Sequence, residues 1–166
     1  MEIVLLKHGE TSEKVIENII QIKMEYWPYD LNSQKEWILN NIKSDDYNLL
    51  LLINNELCGF MNLTNVTGLL DELSYCNFIG IGNVCISKSH SGKGLGLLMM
   101  HAARYYIEEN EKNGILFCKD ELIPFYLKAG WKNNNIKVSI GENELDDILM
   151  SLSNIDAKSI RLNRKF

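Results

Sequence analysis

Three glycines at alternate positions, Gly92, Gly94 and Gly96, follow closely on an apolar run ending at Cys85-Ile86 and open a segment of helical periodicity. A strand that runs into a glycine-rich turn and then a helix leaves several backbone N–H groups at the positive end of the helix dipole, an arrangement that binds phosphate. The spacing narrows the kind of phosphate. A Walker loop needs GxxxxGK followed by Ser or Thr, yet Lys93 is followed by Gly94 and Ser87 stands at the first-glycine position. The dinucleotide pattern GxGxxG fails as well: Gly92-x-Gly94 leads to Leu97, Gly94-x-Gly96 to Met99 and Gly80-x-Gly82 to Cys85. By itself the turn indicates an anion at a helix start, and a flexible connection is the plainer alternative.

A second cluster lies downstream, where Ile115-Leu116-Phe117-Cys118 is followed by Ile123-Pro124-Phe125-Tyr126-Leu127-Lys128-Ala129-Gly130-Trp131. The first run reads as a short buried strand, and Glu121 to Lys128 as a short helix stopped by Gly130. Four cysteines, Cys58, Cys76, Cys85 and Cys118, form no CxxC pair, and no histidine stands at zinc-ligand spacing, so no metal site is expected. Cys118 with His8, His90 or His101 lacks the surroundings of a cysteine hydrolase and reads as a small buried residue.

The elements that must position these groups are legible from periodicity. Met1 to His8 is an opening strand; Thr11 or Ser12 caps a helix carrying Val15, Ile19, Ile22 and Tyr26 on one face; Ser33 caps a shorter helix with Trp37, Ile38 and Ile42. Asn48 to Ile53 and Glu56 to Val66 form a hairpin around Asn54-Asn55, and Phe78 to Ile86 is a further strand beyond a polar break at Asp71-Glu72. The helix after the glycines buries Leu98, Ala102, Tyr105 and Tyr106 and stops at Asn113-Gly114. Lys137 to Ile140 and Ser159 to Leu162 are the last strands, separated by a helical stretch from Glu144 to Leu152. The fold class is α/β with a mixed sheet, in one domain over residues 1–166.

Composition sets the class of partner. The chain is 46% hydrophobic and 23% charged with a formal net charge of −5, which supplies a core and argues against nucleic acid as a partner. The acidic balance suits a cationic substrate such as an amine. MEIVLLKHGE carries no basic start or cleavage site and no stretch reaches membrane-spanning length, so a cytoplasmic protein with reduced thiols and no membrane partner is expected.

Val84 to Met99 resembles the acetyl-CoA motif of the GNAT superfamily of N-acetyltransferases, whose form is Gln/Arg-x-x-Gly-x-Gly/Ala. Gly94 and Gly96 match, and Ser91 stands where the family usually has Gln or Arg. The Phe125-Tyr126 to Gly130-Trp131 block resembles the family's Phe-Tyr-x-x-x-Gly-Phe/Trp signature. Element order agrees over the whole chain, while residues 84–131 carry the specific motifs.

The resemblance implies a central, mostly antiparallel sheet splayed between its fourth and fifth strands, with helices on both faces. It also implies acetyl-CoA as co-substrate, its pyrophosphate on Ser91, Gly92, Lys93, Gly94, Leu95 and Gly96, with further contacts from Val84, Cys85, Ile86, Cys118 and Tyr126. The substrate amine then attacks the thioester directly, with Tyr126 as general acid toward the leaving thiolate. For the proton on the amine the candidates are Glu72, beside Asp71, and Asn83 on the motif strand. Trp27, Tyr29 and Trp37 fall where the family places its acceptor wall. Acceptors in view are small-molecule or peptide amines, including an aminoglycoside-type antibiotic, and a homodimer is compatible with the family. A different class of function, a catalytically silent acyl-CoA sensor or partner-binding module, is compatible with Ser91.

Overall fold

The computed structural model describes residues 1–166 and contains a mixed α/β arrangement of ten strands and four helices. The chain forms two compact units, residues 1–64 with 82–103 and residues 65–81 with 104–166. Two long strands, β3 (Glu56–Leu70) and β4 (Ser74–Ile86), contribute residues to both.

In the first unit, β1 (Glu2–Lys7) pairs antiparallel with β2 (Tyr47–Ile53), and β2 with β3 from Tyr47↔Leu63 to Ile53↔Glu56. The hairpin turn has Asn54 and Asn55 at φ 52 and 65, the doubly left-handed backbone of a two-residue turn that asparagine tolerates. Helix α1 (Glu13–Met24) starts where the Ser12 side chain accepts the N–H of Val15. Its Ile19 and Ile22 pack on Leu50, Phe60 and Cys85. Gly59, next to Phe60 and therefore on the opposite face, lies against Ile86 and Met99, the latter from α3 (Leu95–Glu109). A side chain at Gly59 would put its Cβ 2.5 Å from the Ile86 methyl and 3.0 Å from the Met99 sulfur. Helices thus cover both faces of these strands.

Helix α2 (Leu31–Asn41) begins earlier than its serine suggests. Asp30 is the cap, its carboxylate accepting the N–H groups of Asn32 and Ser33, while the Ser33 hydroxyl folds back onto the same carboxylate at 2.6 Å. A carboxylate with two acceptor oxygens satisfies more of the helix end than one hydroxyl.

In the second unit, β5 (Asn113–Cys118) runs parallel to β4 over the four pairs from Phe78↔Asn113 to Ile81↔Leu116. On its other side β5 pairs antiparallel with β9 (Ile148–Ser151), which also pairs with β6 (Lys132–Asn134). β10 (Ser159–Leu162) lies antiparallel to β3 and parallel to β7 (Lys137–Ile140), and β7 pairs with β8 (Asn143–Leu145). The core is Val66, Phe78, Ile115, Val138, Leu149, Ile160 and Leu162.

Several expectations are corrected here. Glu144 to Leu152 contains strands β8 and β9 rather than a helix: β9 is paired on both edges and buried, and a short run buried on both sides has no alternation to distinguish it from a helix. β6 went unforeseen for the same want of a pattern. In α3 the buried face is Met99, Met100, Ala103 and Ile107, whereas Tyr105 is 67% exposed. Asn113-Gly114 is the start of β5, not the stop of α3, and a Cβ at Gly114 would stand 2.8 Å from the Trp131 ring.

Candidate active site

The end of β4 departs from regular strand geometry. Asn83 has φ 52, so the strand kinks there before Val84, Cys85 and Ile86. This end is fastened to the end of α1. The Tyr26 hydroxyl donates to the Ile86 carbonyl, the Glu25 carboxylate accepts the Lys88 N–H, and the Ser87 N–H donates to the Cys58 carbonyl.

The turn that follows holds the glycines. Gly92 and Gly94 have φ 74 and 76, with nothing within 4 Å of an added Cβ at either. Conformation rather than space therefore demands glycine at both positions. Ser91, Gly92, Lys93 and Gly94 are exposed, and Leu95 and Gly96 half-buried, as the first residues of α3. Leu98 N–H donates to the Gly94 carbonyl, which leaves the N–H groups of Leu95, Gly96 and Leu97 at the helix start without an intrahelical acceptor. Lys93 folds its ammonium back to the Ser89 carbonyl at 3.2 Å. A chain of amides at a helix N-terminus, flanked by Lys88 and Lys93 and kept open by residues without Cβ, fits a pyrophosphate in charge and access. His90 is otherwise occupied: its ring holds the Ser87 and Ser89 hydroxyls through Nδ1 and lies 3.7 Å from the Cys58 sulfur through Nε2.

Cys85 is 2% exposed, and burial pushes its thiol up to about 12, so it is protonated at neutral pH. Beside it Lys23, 4% exposed, stands 3.8 Å from the centre of the Trp37 ring and 6.0 Å from that of Trp27. Burial pulls this ammonium down to about 8. Trp27 and Tyr29 themselves are 40% and 65% exposed.

In the second unit, α4 (Ile123–Lys128) carries Tyr126, 7% exposed, with Phe125 edge-on at 5.0 Å. The signature around it has a mechanical reason. Gly130 at φ 84 ends the helix, the Trp131 N–H returns to the Tyr126 carbonyl, and the Gly130 N–H to that of Leu127. Trp131 then enters the core at 1% exposure. Cys118, at the end of β5, is buried, and burial, then Asp120 and Asp147, push its thiol up.

Asp71 and Glu72, both left-handed at φ 48 and 59, form the β3–β4 hairpin turn. Asp71 accepts the Lys158 and Ser159 N–H groups, which hold its carboxyl below the usual range, and Glu72 takes the guanidinium of Arg161 through both oxygens. Asn83, Val84, Cys85, Ile86 and Ser91 to Gly96 therefore belong to one unit, and Glu72, Cys118 and Tyr126 to the other. The fastening of β4 by Glu25 and Tyr26, and the polar partners of Asn83, were missed from sequence, since neither spacing nor residue type marks them.

The glycine turn at the end of the kinked strand and the helix closed by Gly130 and Trp131 both lie within the span matched by one family. The model of the Acetyltransferase (GNAT) family matches residues 16–131, and the chain belongs to that family. Solved structures share the fold. Escherichia coli ElaA is 20% identical with a TM-score of 0.68, covering 92% of this chain and 99% of that one. An aminoglycoside 6'-N-acetyltransferase complexed with coenzyme A is 13% identical with a TM-score of 0.66, covering 94% and 100%. The PaiA N-acetyltransferase from Thermoplasma acidophilum in complex with coenzyme A is 15% identical with a TM-score of 0.58, covering 93% and 100%. No curated protein matches the chain.

Proposed function

We propose that the protein is an N-acetyltransferase that moves the acetyl group of acetyl-CoA to a primary amine by direct attack in a ternary complex. The observation that carries this reading is the pair of left-handed glycines, Gly92 and Gly94, opening α3 inside the span matched by the family. The neighbours named as complexes with coenzyme A support the choice of coenzyme. One domain spanning both units is supported by the family match, which runs through residues of each.

When bound, acetyl-CoA supplies an acyl group activated as a thioester. The amides of Gly92 to Leu97 hold its pyrophosphate, with Lys88 and Lys93 adding charge and Ser91 a hydroxyl. Backbone groups of Val84, Cys85 and Ile86 hold the pantetheine and polarise the acyl carbonyl, and Cys118 borders it. The Ile86 carbonyl already accepts from Tyr26, so its amide is the group on offer. Tyr126 gives its phenolic proton to the leaving sulfur. Of the two candidates for receiving the amine, Glu72 is paired with Arg161, which favours Asn83 as the orienting group and solvent water as the proton's destination. The net charge of −5 favours a cationic amine, in a cytoplasmic setting where the four cysteines stay as free thiols.

Ser91 in the Gln/Arg position and the pairing of Glu72 favour one alternative, a catalytically silent acyl-CoA sensor. Thermal shift with acetyl-CoA, followed by acetyl transfer across a panel of small-molecule and peptide amines, tests both. Stabilisation with turnover supports the enzyme, stabilisation without turnover on any amine supports the sensor, and no stabilisation overturns coenzyme binding itself.

A further inference from the structure

A file of side-chain amides crosses the first unit from β4 to β1. Asn83 Nδ2 donates to Asn62 Oδ1 at 2.8 Å, Asn62 Nδ2 to Asn48 Oδ1 at 2.7 Å, and Asn48 Nδ2 to Thr11 Oγ1 at 2.9 Å. Thr11 in turn donates to the Lys7 carbonyl at 2.9 Å, and His8 Nδ1 lies 3.2 Å from the Asn48 amide nitrogen. Asn62 and Asn48 are 4% and 1% exposed, so the bond between them is shielded from water. Buried carboxamides are costly unless fully partnered, and an all-apolar set would pack the same strands without that cost.

The direction of the file is determined by its far end. Thr11 has one hydroxyl proton and commits it to Lys7, so toward Asn48 it can only accept. Asn48 must then present its NH2 to Thr11 and its oxygen to Asn62, which must present its oxygen to Asn83. Burial lowers the basicity of His8, and a neutral ring has a lone pair for the same Asn48 NH2. Every link thus forces the next, and Asn83 is left with one N–H of its NH2 held by Asn62 and its carboxamide oxygen without a protein donor. It sits at the kink, φ 52, one residue before Val84.

Resting on the acetyl-transfer reading, we propose that Asn83 Oδ1 accepts an N–H of the incoming amine and that Asn62, Asn48 and Thr11 are positioning residues that keep this oxygen outward. Were the file reversed, Asn83 would show its NH2 and repel the amine's hydrogens. With the oxygen outward, one N–H is held and the nitrogen lone pair is left for the thioester carbon. Polarisation along three consecutive amide bonds strengthens the terminal acceptor.

The test is made at Thr11, farthest from Asn83, and read in two ways. In a His8→Phe background, where Thr11 is the remaining acceptor for the Asn48 NH2, Thr11→Val should raise the KM for 2-phenylethylamine or n-butylamine about fivefold or more, the scale of one hydrogen bond, leaving the KM for acetyl-CoA within about twofold; Thr11→Ser should restore it. In 15N spectra the same amines, added to the acetyl-CoA complex, should shift the Asn83 side-chain NH2 resonance in wild type and much less in the double variant. An amine KM unmoved while the double variant melts lower would make the file merely structural and overturn the proposal. So would an Asn83 resonance that no amine displaces although acetyl-CoA binds. A wild type that acetyl-CoA fails to stabilise removes the acetyl-transfer reading first, an outcome distinct from both.

Discussion

Tyr26, just beyond the end of α1, donates its hydroxyl to the carbonyl of Ile86, the last residue of β4. With Glu25 accepting the Lys88 N–H, this ties the helix to the backbone that leads into the glycine turn. Tyr26→Phe should cost about 1 kcal/mol of stability, the scale of one hydrogen bond. It should also reduce the thermal shift produced by acetyl-CoA, because the strand end loses a tether. Denaturant unfolding with and without acetyl-CoA measures both; an unchanged ligand shift would mean that the tether serves only the fold.

Gly94→Val should abolish coenzyme-dependent stabilisation while leaving an intact fold. The position is exposed and roomy, so the penalty is conformational, roughly 1–2 kcal/mol for a non-glycine residue in the left-handed region. A branched side chain there also displaces the amides that must face the phosphates. Ser91→Arg is expected to move the other way and tighten acetyl-CoA binding, as read by titration calorimetry.

Tyr126→Phe keeps the ring against Phe125 and removes the hydroxyl. Turnover should fall on the order of 100-fold, with acetyl-CoA affinity little changed. Equal turnover in the two proteins would remove Tyr126 from the role of general acid.

Lys23 supplies a pH dependence. Its folded value of about 8 lies below the ordinary 10.5, so between those values the unfolded chain binds more protons than the folded one. The contribution of Lys23 to stability must then rise with pH across that interval and level off above it, opposed above pH 9 by the raised Cys85 thiol, whose contribution falls. Lys23→Met should flatten this rise and, by removing a buried charge, raise the melting temperature at pH 7. A melting temperature lowered at pH 7 would show that the contact with Trp37 outweighs burial.

Gly130→Ala tests the closure of α4. An alanine Cβ there would meet the Arg104 guanidinium at 2.3 Å and occupy a left-handed position. The arginine end is flexible and can move, so the backbone dominates and the loss should be about 1–2 kcal/mol in a denaturant melt. A neutral result would mean that Trp131, not Gly130, closes the helix.

Residue types and spacing along the chain were sufficient for the glycine turn, a cap at Thr11 or Ser12, the Asn54-Asn55 hairpin and the stop at Gly130. Each is a local backbone demand that one or two residue types meet, and each is readable without knowing what lies across the fold. The Asp30 cap was missed because two good capping residues stand three apart and only the chain's path selects between them. Strands β6, β8 and β9 were missed because pairing on neighbouring strands, not periodicity, makes them strands. The partners of Asn83 are 21 and more residues away in sequence, and no pattern announces a hydrogen bond between amides on separate strands. The chain alone therefore determined which backbone segment forms the glycine turn at the start of α3. Only the folded chain decided which way the Asn83 carboxamide points, because that direction is inherited through space from a hydroxyl beyond the end of β1.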